Sequence, residues 1–324
     1  MWLHVLLFTI GFAVIVRGGD FFVDSSIGIA RIARVPRVII GCTIVSIATT
    51  SPELVVSATA SLHNNPAFAI GNAVGSAIAN IGLILAALVV FMPVKLKPGE
   101  FRLPGFIMMI SGVLLFLFTM HSRLPRHYGF VLIAMGIAYL FFDFFRHFRS
   151  RANIEPAPKE GKEVSLLRHV LFFVIGIVMV AVGSHLLVVN GEKIAVALHV
   201  PKIIIGCTVI AIGTSLPELI TAVKSAMRGV GDLSVGNIVG ANILNVTIVT
   251  GTAASISPVP LSLERRYQLY NFPIMLVIML LLFVFGWTGS RLKRWEGIVL
   301  LSVYILYLAG FALIMMWLPS HSTA

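Results

Sequence analysis

Apolar stretches of about 18 residues or more, each enough to cross the roughly 30 Å hydrocarbon core of a bilayer as a helix, recur almost from end to end of this 324-residue chain. Ten can be counted, over residues 2–20, 37–61, 67–92, 103–120, 127–145, 168–189, 202–226, 233–257, 269–287 and 295–317. A mean hydropathy of +0.99 with 58% hydrophobic and 11% charged residues leaves too little charge to coat a water-soluble globule. The pattern therefore predicts an all-α polytopic membrane protein with ten transmembrane helices. The first span lacks a basic leader and a small-residue cleavage site, so it is expected to stay as the first helix.

The net charge of +11 does not point to nucleic acid, because the cations are scattered through short inter-helix loops. Counted over alternate loops, 17 of the 24 Lys and Arg lie on one side, including Arg31, Arg34, Arg37, Lys95, Lys97, Lys224 and Arg228. Six lie on the other, and Arg17 sits near the end of the first span. The positive-inside rule makes the richer side cytoplasmic and both termini extracytoplasmic in a multi-pass plasma (inner) membrane protein.

Comparison of the chain with itself reveals a duplication. Val35-Pro-Arg-Val-Ile-Ile-Gly-Cys-Thr-Ile-Val-Ser-Ile-Ala-Thr-Thr-Ser-Pro-Glu53 aligns with Val200-Pro-Lys-Ile-Ile-Ile-Gly-Cys-Thr-Val-Ile-Ala-Ile-Gly-Thr-Ser-Leu-Pro-Glu218, identical at 11 of 19 positions and offset by 165 residues. At the same offset, Gly71-Asn-Ala-Val-Gly-Ser-Ala-Ile-Ala-Asn80 matches Gly236-Asn-Ile-Val-Gly-Ala-Asn-Ile-Leu-Asn245 at six of ten positions. Five spans per half is an odd number, so the second half enters the membrane from the opposite side. The expected organisation is two inverted five-helix repeats, residues 1–146 and 168–324, joined by a polar cytoplasmic linker over 147–167.

Among the thirteen acidic residues only Glu53 and Glu218 fall well inside a predicted span. An ionised carboxylate at that depth costs at least a few kcal/mol, so it needs a partner or a hydrated cavity. No intramembrane Lys or Arg is available in either repeat to neutralise them, which makes a bound cation the natural partner. Pro52 and Pro217 each remove an amide donor and are expected to free the carbonyls of Ala48 and Gly213 as oxygen ligands. Thr49 and Thr214 stand four residues before the two carboxylates, on the same helix face. Ser76 and Asn80 are likewise four apart, while the second half offers Asn237 and Asn245 with Ala241 between them.

This donor set contains oxygens only, which suits hard cations. Two carboxylates carry a charge that one Ca²⁺ or two Na⁺ would neutralise, a basis for competition in one pocket. For Asn72 and Asn237 close helix packing with interhelical hydrogen bonds is an equal alternative, whereas Asn80 and Asn245 read as site-lining. Cys42 and Cys207 read as packing residues, His185 as a satisfied histidine, and Arg17 and Asp20 as boundary residues that snorkel.

The paired segments resemble the alpha-repeat signature of sodium/calcium exchangers, within the cation/calcium antiporter superfamily. Gly213-Thr-Ser-Leu-Pro-Glu-Leu219 matches it in full, and the ten-helix, five-plus-five layout is similar to the prokaryotic members. The resemblance implies a secondary-active antiporter in which Glu53 and Glu218 are the principal ligands. Thr49, Thr50, Thr214 and Ser215 would contribute hydroxyl or carbonyl oxygens, Ser76, Asn80 and Asn245 would complete the cage, and the carbonyls of Ser46 and Ala211 would join it. In that family the first and sixth helices slide against the remaining bundle.

The chain departs from the pattern at Thr50, Ser51, Ala241 and Asn245; the last occupies a position where potassium-dependent members carry Asp. The expected partners are Ca²⁺ and Na⁺ as cargo and membrane lipid, with no cofactor, no nucleic acid and a single chain as the working unit. Proton-coupled Ca²⁺ exchange at the same carboxylates is the alternative, and a cation channel is less favoured. An intramembrane hydrolase built on Ser51 or Ser215 would need a base within reach, and the repeat cores contain no His. An enzyme is not expected.

Overall fold

The structure is a computed structural model that describes residues 2–63, 66–120, 123–149, 166–197, 215–262 and 265–317. It is helical apart from two short ladders. The helices are α1 (Trp2–Ala33), α2 (Arg37–Leu62), α3 (Phe68–Phe91), α4 (Pro98–Phe118), α5 (Arg126–Arg149), α6 (Leu166–Ala197), α7 (Leu216–Met227), α8 (Gly231–Ile256), α9 (Arg265–Thr288) and α10 (Arg294–Trp317). Among the described residues eight of these, α1–α4, α6 and α8–α10, are long and apolar enough to cross a membrane. The chain is thus an all-helical, multi-pass membrane protein. Of the expected seventh span only α7 is described, because residues 198–214 lie outside the described set, as do 150–165 of the expected linker.

Burial grades from the centre outwards. In α8, 94% of the most apolar stretch is buried, against 17% in α10, so α8 forms the middle of the bundle and α10 part of its rim. With lipid as solvent, helices associate through close packing rather than exclusion of apolar surface, which favours small residues at crossings. Gly236 and Gly240 of α8 follow this rule: a Cβ at either would run into the backbone of α2, at the carbonyls of Val38 and Cys42. Around this crossing Ile78, Ile81 and Leu85 of α3 and Phe272, Met275 and Met279 of α9 make the largest apolar core.

The pair α1 and α6 lies to one side as an antiparallel hairpin of 32-residue helices. Gly11 meets Gly183 and Gly18 meets Gly176, with added Cβ atoms 2.8–3.1 Å from the opposing carbonyls. Phe22 stacks on Phe173 with centroids 4.9 Å apart, and His4 Nδ1 hydrogen-bonds Asn190 Oδ1 at 2.9 Å. Both helices are longer than their hydropathy predicts. The apolar signal of the first ends near residue 20, yet the helix continues to Ala33 because its acidic residues find cations on another helix. Asp20 lies 2.9 Å from Lys224, and Asp24 pairs with Arg228 at 2.6 Å. Asp20 is therefore an interhelical ion-pair member rather than a snorkelling boundary residue.

Several contacts recur at the repeat spacing of 165. The Ser57 hydroxyl donates to the Ala69 carbonyl, linking α2 to α3 at 3.2 Å; the Ser234 hydroxyl donates to the Ala222 carbonyl, linking α8 to α7 at the same distance. The positions correspond pairwise, with donor and acceptor exchanged. Wider π-helical turns begin at Asn80 and at Asn245. The ladders β1 (Val94–Lys95) with β4 (Arg291–Leu292) and β2 (Arg123–Leu124) with β3 (Leu261–Ser262) each tie a loop of the first half to one of the second.

Candidate cation site

Pro52 sits inside the continuous part of α2 that runs Ser46–Leu62, whereas Pro217 occupies the first turn of α7, where a missing amide costs nothing. Each proline places the following glutamate toward the bundle centre. Glu53 and Glu218 are both 0% exposed, and their carboxyls are close enough to interact electrostatically. Among the described residues none of their four oxygens receives a hydrogen bond. The Thr49 hydroxyl stands beside Glu218. Its single proton, however, goes to Asn237 Oδ1 at 3.0 Å, with the Ser46 carbonyl farther off at 3.4 Å.

Further buried oxygens with open valence occur beside each acid in sequence and on α3 and α8. The Thr50 and Ser215 hydroxyls, Asn80 Oδ1 and Asn245 Oδ1 are all buried without a hydrogen-bond partner among the described residues. An apolar interior penalises each such atom by about 1–3 kcal/mol. No three His, Cys, Asp or Glu side chains converge among the described residues, which leaves Thr, Ser, Asn and backbone to surround the carboxyl pair. Ser76 is buried one turn before Asn80, and Ser46 is fully buried with its hydroxyl turned back on the Cys42 and Thr43 carbonyls at 2.7 and 3.0 Å. Thr214 and Ala211 lie outside the described residues, as do Gly213 and Cys207.

One expected ligand is already partly occupied. The carbonyl of Ala48, freed by Pro52, accepts a 2.8 Å hydrogen bond from Ser51, whose side chain is exposed on the outer face of α2. The hydroxyl of Ser51 thus replaces the missing amide at one of the carbonyl's two lone pairs. Asn72 and Asn237 both make interhelical hydrogen bonds. Asn72 Nδ2 bonds Ser57 Oγ at 3.0 Å and, more weakly, the Glu53 carbonyl at 3.4 Å, fastening α3 to α2. Asn237 serves Thr49.

Two features were not foreseen from sequence. Asp143 of α5, assigned to a span end, is fully buried near Cys42 and Tyr139. Asn242 joins Asn80 to the backbone of α3 through two hydrogen bonds, at 3.2 and 3.1 Å. Asn242 lies within the duplicated motif, but its counterpart is Ala77, so repeat matching passes over it.

Comparison with known proteins bears on the same frame. The profile of the family described as sodium/calcium exchanger protein matches residues 3–145 and 168–313. The sodium/calcium exchanger MaX1 of Methanosarcina acetivorans is 31% identical over 94% of this chain and 97% of its own length. The inner membrane protein YrbG of Escherichia coli is 31% identical over 95% and 97%. Among solved structures, the sodium-calcium exchanger NCX_Mj, soaked with Na⁺ and Sr²⁺, superposes with a TM-score of 0.83 at 30% identity, over 95% of this chain and 98% of that one. With a profile match over most of its length and relatives above 30% identity along nearly all of it, the chain belongs to the sodium/calcium exchanger family.

Proposed function

We propose that this protein is a secondary-active antiporter that exchanges Na⁺ for Ca²⁺ across the plasma membrane by alternating access. The observation that carries the reading is the pair of fully buried, electrostatically interacting glutamates whose carboxyl oxygens receive no hydrogen bond among the described residues. Glu53 and Glu218 are the principal ligands. Thr49, Thr50, Thr214, Ser215, Ser76, Asn80, Asn245 and the carbonyls of Ser46 and Ala211 supply the remainder. Calcium accepts six to eight oxygens in flexible geometry, and this set is large and varied enough to provide them. One Ca²⁺ balances two carboxylates, as do two Na⁺, so neither occupant leaves the site with an uncompensated buried charge. An empty, doubly ionised site carries that penalty, which discourages return of the carrier without an ion.

The architecture in this reading is ten transmembrane helices in two inverted five-helix repeats, residues 1–146 and 168–324, around the linker 147–167. The exchanged donor and acceptor roles of Ser57–Ala69 and Ser234–Ala222, and the π-turns at Asn80 and Asn245, support it. Both termini are extracytoplasmic, and one chain is the working unit. The moving part is the α1–α6 hairpin. A cavity of about 10 Å³ separates Phe22, Ile177 and Val180 of the hairpin from Ala48, Pro52 and Pro217 beside the site. The contact around this cavity is apolar, so the directional bonds that hold the hairpin to α7 are the Asp20–Lys224 and Asp24–Arg228 pairs at its end.

The test is ⁴⁵Ca²⁺ uptake into proteoliposomes loaded with Na⁺ and diluted into sodium-free buffer. Uptake is expected with an outward sodium gradient and not with a pH gradient or a potassium gradient alone. Uptake driven equally well by protons without sodium would replace the coupling ion and leave the site in place.

A further inference from the structure

Asn80 and Asn245 occupy equivalent places in the duplicated motif, yet their amides are held differently. Asn80 Nδ2 lies 3.2 Å from Asn242 Oδ1, and Asn242 Nδ2 lies 3.1 Å from the carbonyl oxygen of Ala77. Neither amide atom of Asn245 has a partner among the described residues, although the residue is fully buried. The difference follows from sequence: the residue three before Asn245 is Asn242, and the residue three before Asn80 is Ala77, which can offer only backbone.

The orientation of Asn80 is fixed by this chain of contacts, one atom at a time. A carbonyl oxygen can only accept, so the Asn242 atom that meets Ala77 must be its NH₂. That turns Asn242 Oδ1 toward Asn80, and an oxygen facing the Asn80 amide requires the Asn80 NH₂ in return. The remaining atom, Asn80 Oδ1, is then the one left buried with open valence. Rotating the Asn80 amide by half a turn would oppose two oxygens at Asn242 and present an NH₂ to the open side, where a cation would be repelled.

We infer that Asn242 is a positioning residue for ion binding: it locks Asn80 with its carbonyl oxygen toward the cation and its NH₂ away, a constraint that Asn245 lacks. The inference rests on the reading of Asn80 as a ligand. It makes the cage asymmetric, with one amide oxygen in the first half preoriented by a hydrogen bond and one in the second that no hydrogen bond among the described residues orients. Preorientation saves the ordering that a free side chain would undergo when the ion arrives.

Equilibrium ⁴⁵Ca²⁺ binding to the purified full-length protein tests it with Asn80→Ala, Asn242→Ala, Asn80→Asp and the Asn80→Asp/Asn242→Ala pair. Asn242→Ala is expected to weaken Ca²⁺ binding by about tenfold, the effect of one lost hydrogen bond. A carboxylate presents oxygen whichever way it turns, so in the Asn80→Asp background the same Asn242→Ala change should cost no affinity. A purely structural role for Asn242 would give equal losses in both backgrounds, and that result would overturn the inference. If Asn80→Ala binds Ca²⁺ like the parent, the ligand reading itself fails, an outcome distinct from the first. Should Asn242→Ala not purify as a monodisperse protein, the similarly sized Asn242→Leu removes the same two hydrogen bonds without opening a cavity and carries the same comparison.

Discussion

The Asp20 carboxylate of α1 lies 2.9 Å from the Lys224 ammonium of α7, two charges from opposite halves of the chain joined in a partly enclosed setting. Arg228 adds contacts to Asp20 at 3.3 Å and to both oxygens of Asp24. These ion pairs anchor one end of the α1–α6 hairpin to the helix that carries Glu218. With side chains 13% and 21% exposed, the Asp20–Lys224 pair falls between surface pairs, which contribute little, and buried ones, whose breaking is costly.

Asp20→Asn should accordingly lower stability by about 2 kcal/mol, between the surface and buried limits, because it leaves Lys224 with a weakened counter-charge. Adding Lys224→Met should recover part of the loss by removing the unpaired cation. Thermal unfolding of detergent-solubilised protein, followed by size-exclusion fluorescence, measures both. Additive losses in the double variant would mean that the two side chains do not form a working pair.

The glycine contacts of the hairpin make a steric prediction. At Gly183 a Cβ would stand 2.8 Å from the Gly11 carbonyl oxygen and from the Ile15 amide nitrogen, groups that cannot move without shifting the helix. Gly183→Val should abolish exchange and reduce the yield of folded protein. Gly99→Ala, at a position with nothing within 4 Å, should leave both unchanged. Parent-like exchange in Gly183→Val would show that this crossing is not tight.

Neighbouring hydroxyls at Thr50 and Ser51 should differ sharply in importance. Thr50 Oγ1 is buried without a partner among the described residues, whereas Ser51 is exposed and bonded to the Ala48 carbonyl. Thr50→Val should raise the Ca²⁺ concentration for half-maximal exchange by about tenfold, the equivalent of losing one ligand hydroxyl at about 1.4 kcal/mol. Ser51→Leu, which copies the residue found at 216 in the second half, should change it by less than about twofold. The reverse ranking in concentration-dependent flux would contradict the geometry.

Features of the sequence that are repeated or strongly apolar translate directly into structure. Eight apolar helices among the described residues and the burial of Glu53 and Glu218 follow from hydropathy and spacing. Features that depend on an unrepeated partner far along the chain do not. Asp20 looked like a boundary residue because Lys224 is 204 positions away and belongs to another helix. The reach of α1 to Ala33 was hidden for the same reason, since unpaired charges would end an apolar span and paired ones do not. Asn242 escaped because Ala77 breaks the symmetry there, and the capped Ala48 carbonyl depends on a serine that only the first half carries. The short ladders joining Val94–Lys95 to Arg291–Leu292 have no local signature, being two residues long and made across the two halves.

The central claim is that Glu53 and Glu218 together hold the transported ion, and the most direct measurement is equilibrium ⁴⁵Ca²⁺ binding to the purified protein, with Na⁺ as competitor, in the parent, Glu53→Gln and Glu218→Gln. Gln keeps the shape and removes the charge, so each single variant should lose saturable, sodium-displaceable Ca²⁺ binding while remaining monodisperse. Parent-like, sodium-sensitive Ca²⁺ binding in either variant would contradict the account, because a two-carboxylate site cannot lose one carboxylate and hold a divalent cation as before.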